Sequence, residues 1–297
     1  MKVTVLIDDT PSTHSGLLCE HGLSLYVETD FGRYLLDTGL TGQAIDNALA
    51  LGIDLRRVDA LILSHGHKDH TGGLSRFLSV NTTAPVYVSD KVFRYTYASN
   101  RGGRLHDLSP QDCFRRTSLE WQHNTWTDRF RFLGQSTWLP FPSGNVCGTA
   151  RMACVFNQSQ TARKPGGNRY LSIAGVDGWQ PYQADDEMAW VIEQDGALTI
   201  FSSCTHSGML NVLQSCTLFT GCPRVRTFIG GLHLLDDEAQ QDDVESMAVL
   251  LAQDYPGIDI VTGHCTGQNA RRILQQAADI RCRTFYTGLQ LFLPFEG

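Results

Sequence analysis

The sequence predicts an α/β chain folded as one sandwich domain, and three observations carry that expectation. Strand-like and helix-like runs take turns along the chain. The texture of the first ninety residues returns in the last hundred or so. A chain of 297 residues with 42% hydrophobic content is long enough to bury a sizeable core.

The elements follow in order. "KVTVLI" (2–7), "LSLYVET" (23–29), "GRYLLD" (32–37) and "DALILS" (59–64) are short β-branched or alternating runs bounded by Gly, Asp and Thr, as strands are. Between them Thr41 is placed to cap a helix reaching Leu51, because Ala44, Ile45, Ala48 and Leu49 recur at helical spacing and Gly52 follows. Near the C-terminus "MAWVIE" (188–193), "ALTIFSS" (197–203), "VRTFIGG" (225–231) and "GIDIVTG" (257–263) read as strands, with Glu238 to Ala252 and Gly267 to Ala278 as amphipathic helices. From about Tyr95 to Asp185 the chain holds Arg, Trp, Gly and Pro in irregular order. That stretch is expected to form loops and a partial cap over a site, since long irregular segments in compact domains are usually functional or mobile. No internal repeat or low-complexity tract interrupts the chain.

Charge narrows the function classes. A net charge of −7, with Lys and Arg scattered, lacks the electrostatic footprint of a nucleic-acid partner. The start "MKVTVLIDDTP" meets acids before a signal-like apolar region develops, and no run approaches a membrane span. Nine cysteines, irregularly spaced and without a CxxC pair, fit reduced thiols. A cytoplasmic protein with no membrane partner is expected.

The chemistry concentrates in "LSHGHKDHTGGL" (63–74), directly after the apolar run Val58 to Leu63. His65, His67, Asp69 and His70 cannot all face one way on a strand or helix, but a loop at a strand end can turn them toward one point. Imidazole and carboxylate are the usual ligands of zinc and its first-row neighbours, and alternate positions suit two ions side by side. Four such residues in six positions weigh against a polar loop that only caps a helix near Thr71.

This pattern resembles the HxHxDH signature of the metallo-β-lactamase superfamily. "YLLDTG" (34–39), "SCTHSG" (203–208), "GGLHL" (230–234) and "GHCTG" (263–267) resemble its other motifs. With "EHGLS" (20–24) and "LGIDL" (51–55), the chain is similar to a subgroup related to archaeal dihydropterin ribofuranosylaminobenzene phosphate synthases. The similarity is dense over roughly 16–90 and 185–290. It implies an αββα sandwich spanning residues 1–297 as a single domain, with an irregular insertion at about 95–185 and metal sites at strand ends.

Carried over by residue, the resemblance gives His65 and His67 to a first divalent ion and Asp69 and His70 to a second. His206 and His264, each following a strand-like run, complete the two shells. Zinc is the leading ion, with manganese and iron open. His233 also follows a strand and is expected to line the pocket and polarise substrate, with ligation or a structural role as alternatives. The sequence departs from the superfamily at Ser203, Cys204 and Thr205, where many dinuclear members place a bridging Asp. There Cys204 either supplies a thiolate, leaves the bridge to solvent, or is a buried inert cysteine; Cys265 has no clear part. Asp37 either accepts a hydrogen bond from a metal-bound histidine or caps a turn. His21 either approaches the mouth or is structural. Asp186 and Glu187 are expected in a solvated turn, and Lys68 in solvent or against an anionic substrate.

Two such ions would supply a bridging hydroxide for attack on phosphorus or a carbonyl carbon, with Asp69 orienting it. No GxSxG elbow or P-loop offers another route; a Cys204 nucleophile two positions from His206 is conceivable, but such neighbours seldom face each other correctly. Arg101, Arg104, Arg151 and Arg163 suit a phosphate or carboxylate, and Trp121, Trp126, Trp138 and Trp179 a flat ring, unless they are surface and core. The expected activity is hydrolysis of a small, anionic phosphoester or phosphodiester. The alternatives are the subgroup's synthase-like condensation, lactone or thioester hydrolysis, and a non-catalytic metal-dependent sensor or binding protein.

Overall fold

Short runs of β-branched and aromatic residues become strands in both halves of the chain, and the apolar helical faces between them pack on the sheets those strands build. The structure is a computed structural model that describes residues 1–13, 16–114, 125–141, 149–237 and 239–295. The N-terminal half gives β1 (Lys2–Ile7), β2 (Ser24–Thr29), β3 (Gly32–Leu36), α1 (Gln43–Ala50), β4 (Ala60–Ile62), α2 (Lys68–Thr71), α3 (Leu74–Val80) and β5 (Val86–Ser89). The middle gives β6 (Tyr97–Ser99), β7 (His106–Asp107), β8 (Phe130–Leu133), β9 (Thr137–Leu139), β10 (Arg151–Phe156), β11 (Leu171–Gly175) and β12 (Gly178–Pro181). The remainder gives β13 (Met188–Gln194), β14 (Ala197–Phe201), α4 (Met209–Thr220), β15 (Val225–Ile229), α5 (Gln241–Asp254), β16 (Ile258–Thr262), α6 (Gln268–Gln276), β17 (Ile280–Thr284) and β18 (Gln290–Phe292).

Among the described residues these strands form two large sheets and one small one. The first runs β18-β1-β2-β3-β4-β5-β8, antiparallel from β18 to β3 and parallel from β3 to β8. The second runs β17-β16-β15-β14-β13-β10-β9, parallel from β17 to β14 and antiparallel beyond. Between them lies a core in which Val27, Tyr34 and Ile62 of the first sheet meet Met152, Trp190 and Ile229 of the second. Each outer face is covered by helices: Ala44, Ile45 and Phe77 from α1 and α3 pack on Leu35 and Leu61, while Val212, Val244 and Ile273 from α4, α5 and α6 pack on Ile200 and Ile260. This is the αββα layering expected, because each sheet buries one face against its partner and the other under helices.

Three details correct the sequence reading. The segment at about 95–185 carries strands as well as loops among its described residues: β8 extends the first sheet, β9 and β10 extend the second, and β6, β7, β11 and β12 form the small sheet. These strands are short, so they offer little alternation to read. Thr41 does not cap α1; Gly42 precedes the helix without a side-chain cap, and the Thr41 hydroxyl donates to Glu20 Oε2 at 2.5 Å. Leu49 is 79% exposed, so the helix packs through Ala44, Ile45 and Ala48. Trp121 and Glu238 lie outside the described residues. Among the described residues no helix is long and apolar enough to cross a membrane.

Candidate metal centre

The chemistry-bearing residues gather where parallel strands end, the position at which open α/β sheets present ligand-binding loops. Asp37 follows β3, His65 follows β4, His206 follows β14, His233 follows β15 and His264 follows β16. Backbone strain collects there too. Asp37, Thr205, His233 and His264 adopt left-handed φ values of 56°, 60°, 49° and 48°, a conformation uncommon for residues with a Cβ and concentrated at functional sites.

His65, His67 and His206 are buried and form one group. A ring nitrogen of each lies within 4.8 Å of the others. His65 Nε2 and His67 Nδ1 face each other at 3.1 Å, and His206 Nε2 is buried without a hydrogen-bond partner. Asp69 organises the second group: its Oδ2 is 3.4 Å from His70 Nε2, 3.5 Å from His264 Nε2 and 3.4 Å from His21 Nε2. His264 Nε2 is likewise buried without a hydrogen-bond partner.

The other face of each ring is committed elsewhere. Ser64 Oγ donates to Asp37 Oδ2 at 2.6 Å, so at 2.8 Å it accepts from His65 Nδ1 and leaves His65 Nε2 its lone pair. His70 Nδ1 donates to Asp37 Oδ2 at 2.8 Å and His264 Nδ1 to Asp9 Oδ1 at 2.7 Å. Asn168 Nδ2 donates to the His206 carbonyl at 2.6 Å, which turns Asn168 Oδ1 toward His206 Nδ1 at 3.2 Å. Four imidazoles therefore aim Nε2 inward with Nδ1–H anchored outward, the tautomer that a cation ligand requires.

Residues 18–145 match the family model described as "Metallo-beta-lactamase superfamily". The chain has the metallo-beta-lactamase fold. It is 26% identical over 290 residues to the 7,8-dihydropterin-6-methyl-4-(beta-D-ribofuranosyl)-aminobenzene-5'-phosphate synthase of Methanocaldococcus jannaschii, covering 93% of this chain and 91% of that protein. An uncharacterized protein of the same archaeon is 29% identical over 278 residues, 92% of this chain and 94% of its own. The solved structure of Tm1679, a metal-dependent hydrolase of the beta-lactamase superfamily, has the same fold, with a TM-score of 0.76, 24% identity and 99% of each chain covered.

The histidine loop is braced by groups the sequence did not reveal. Asp186 and Glu187 are not in a solvated turn; both are buried. Asp186 accepts from Gly66 N at 3.0 Å and from the hydroxyls of Tyr97 and Tyr182 at 2.7 Å each. Glu187 accepts from His206 N at 2.7 Å and Ser207 N at 2.8 Å. Their burial is sustained by these donors, which two adjacent acids ahead of a strand do not announce. Burial lifts the Glu187 carboxyl to about 7, partly offset by the two amides. Gly66 separates the two histidines because a Cβ there would stand 2.2 Å from the Tyr97 hydroxyl.

Asp8 and Asp9 were also missed, being some 255 residues from their partner: Asp8 Oδ1 accepts from His264 N at 2.7 Å, and Asp9 joins His264 to His21. His21 does approach the mouth, its ring 5.2 Å from that of His264. His233 packs its ring 4.3 Å from His206, with Nδ1 buried and unpartnered.

A cavity of about 550 Å³ opens above these groups, lined on one side by His21, Asp69, His206, His233 and His264 and on the other by Arg101, His106, Tyr170 and Leu171 of the middle segment. Lys68 is not in its wall. Of the arginines only Arg101 reaches the wall, and it is paired with Asp237. Arg151 pairs with Glu193 and stacks on Trp138, Arg163 pairs with Asp243, and Arg104 is exposed. Trp126 packs on Phe114 and Phe130, Trp138 on Phe219, and Trp179 is exposed on β12. No described tryptophan offers the cavity a stacking surface; Tyr170 and the histidines do.

Electrostatics divide the rings. Burial, and then neighbouring imidazoles, hold His65 and His206 well below the ordinary histidine value, and burial takes His67 to about 3, so this group is neutral. For His70, burial opposes the charge but the carboxylates of Asp69 and Asp37 outweigh it and raise the ring to about 9.

Asp37 therefore plays the supporting role, not the turn-capping one. Replacing it with alanine frees both the His70 and the Ser64–His65 anchors. Metal affinity, measured by competition with a chromophoric chelator, is expected to fall about 10–100-fold.

Proposed function

We propose that the chain is a dinuclear metal-dependent enzyme that hydrolyses a small phosphoester. The observation carrying this reading is the convergence of His65, His67, His206, Asp69, His70 and His264 beneath one cavity, with two inward Nε2 atoms buried and unpartnered. The donor set fits divalent cations: imidazole nitrogens with outward anchors beside a carboxylate. His65, His67 and His206 would hold one ion, and Asp69, His70 and His264 the other. When bound, such ions supply water activation and charge neutralisation at the reacting oxygens.

The chain's own residues do the rest. Asp69 accepts a hydrogen bond from the attacking water and fixes its direction. His233 presents a ring N–H to the substrate oxygen that gains charge. Arg101, paired with Asp237, and His106 on the opposite wall offer an anionic substrate N–H donors. The net negative charge of the chain supports a small-molecule substrate in place of a nucleic acid.

A panel of phosphomonoesters, phosphodiesters, lactones and thioesters, offered to metal-replete protein, tests this reading. Turnover confined to phosphoesters is expected; turnover of lactones or thioesters with phosphoesters untouched contradicts it. A second reading, condensation of a dihydropterin diphosphate with a ribosylated aromatic amine, is favoured by the 26% identity to the archaeal synthase over nearly both full lengths. Release of diphosphate from that pair of substrates would select it.

The pH dependence of metal uptake follows from His70. Its ring, raised to about 9, carries a proton at pH 7 that a cation must displace from Nε2. His264, whose burial opposes its charge but which Cys265, Asp69 and Asp9 hold well above the ordinary histidine value, acts in the same direction. Apparent affinity is therefore expected to rise by about tenfold or more per pH unit upward from pH 7. Calorimetry in buffers of different ionisation enthalpy checks it: proton release at pH 7 is expected.

A further inference from the structure

The sulfur of Cys204 occupies the middle of the ligand cluster. It is 3.2 Å from His70 Nε2. It also lies within 4.8 Å of a ring nitrogen of His65, of His206 and His233, and of His264, in three separate groupings. The side chain is buried, yet borders the cavity. Two of the surrounding nitrogens, His206 Nε2 and His264 Nε2, are buried and have no hydrogen-bond partner. From bond lengths near 2.3 Å for zinc–sulfur and 2.0–2.1 Å for zinc–nitrogen, a thiolate and an imidazole on one tetrahedral ion stand roughly 3.5 Å apart. Cys204 thus stands near that separation from His70 of one proposed ligand set, and within 4.8 Å of nitrogens of His65 and His206 of the other.

We infer that Cys204 is a thiolate ligand shared between the two cation sites, so that one sulfur joins the His65–His67–His206 set to the Asp69–His70–His264 set. The inference rests on the reading that this centre binds two cations. On binding, Sγ gives up its proton to solvent and coordinates through the freed pair; no oxidant or reductant is involved. Thiolate favours zinc over the harder ions, so the sharing selects the metal as well. Cys265, whose sulfur is 3.6 Å from that of Cys204, is the alternative donor that the test must separate.

Cobalt(II) reports this without recourse to turnover, because thiolate ligation produces a near-ultraviolet sulfur-to-cobalt charge-transfer band that nitrogen and oxygen ligands lack. Metal-stripped full-length protein is titrated with cobalt chloride, following that band, the visible ligand-field bands and bound cobalt. The band is expected to grow through both equivalents, to vanish in Cys204→Ser, and to persist in Cys265→Ser. Two equivalents bound without the band, a band complete after one equivalent, or a band lost in Cys265→Ser but kept in Cys204→Ser overturns the sharing while the two-cation reading stands. No cobalt uptake overturns both. If Cys204→Ser fails to fold, the wild-type titration and Cys265→Ser still decide the outcome.

Discussion

Substituting Asp69 with asparagine is expected to lower turnover by metal-replete protein about 10²–10³-fold. The carboxylate touches three rings, His21, His70 and His264, and its side chain is 11% exposed. Burial opposes its charge, but His70 and His264 hold it well below the usual carboxylate range, so the residue is an anion at any working pH. Asparagine keeps the shape and one acceptor oxygen while removing the charge, so it also turns an amide donor toward the ring nitrogens. The fold, held by the layers on both sides, should survive. Steady-state kinetics beside a thermal melt separates the two effects, and near wild-type turnover would remove Asp69 from the proposed chemistry.

Asp186→Ala is expected to have the largest effect on stability, about 3–5 kcal/mol, because it strands three buried donors at once and each orphaned group costs about 1–3 kcal/mol. The Tyr97 and Tyr182 hydroxyls and the Gly66 amide all end on its two oxygens. The rings of those tyrosines lie 5.3 and 5.2 Å from that of His67, so the loss should also loosen the histidine loop. Chemical denaturation gives the number, and a destabilisation below about 1 kcal/mol would mean that the hydroxyls find other partners.

What the sequence made legible was whatever is local. His65, His67, Asp69 and His70 stand in one loop, so spacing alone suggested convergent ligands, and the strand preceding each of His206 and His264 told where those residues would emerge. The supporting groups were not legible, because topology delivers them. Asp9 reaches His264 only because β1 and β16 belong to sheets that meet at this edge, and Asn168 reaches His206 from a short turn inside the middle segment. Asp186 and Glu187 looked like a polar turn because acids are seldom buried; they are buried because tyrosine and backbone donors meet every oxygen. The middle segment hid its strands for a different reason. β6, β7 and β9 are two or three residues long, too short for a period of two to be seen.

The central claim, that this chain holds two metal ions between its sheets, is met most directly by elemental analysis of protein purified without chelators or a polyhistidine tag. Two equivalents of a first-row divalent metal per chain, zinc foremost, is the predicted result. One equivalent or less, persisting after supplementation with zinc, manganese and iron, would contradict it, because the Asp69–His70–His264 set would then lack the ion its geometry implies.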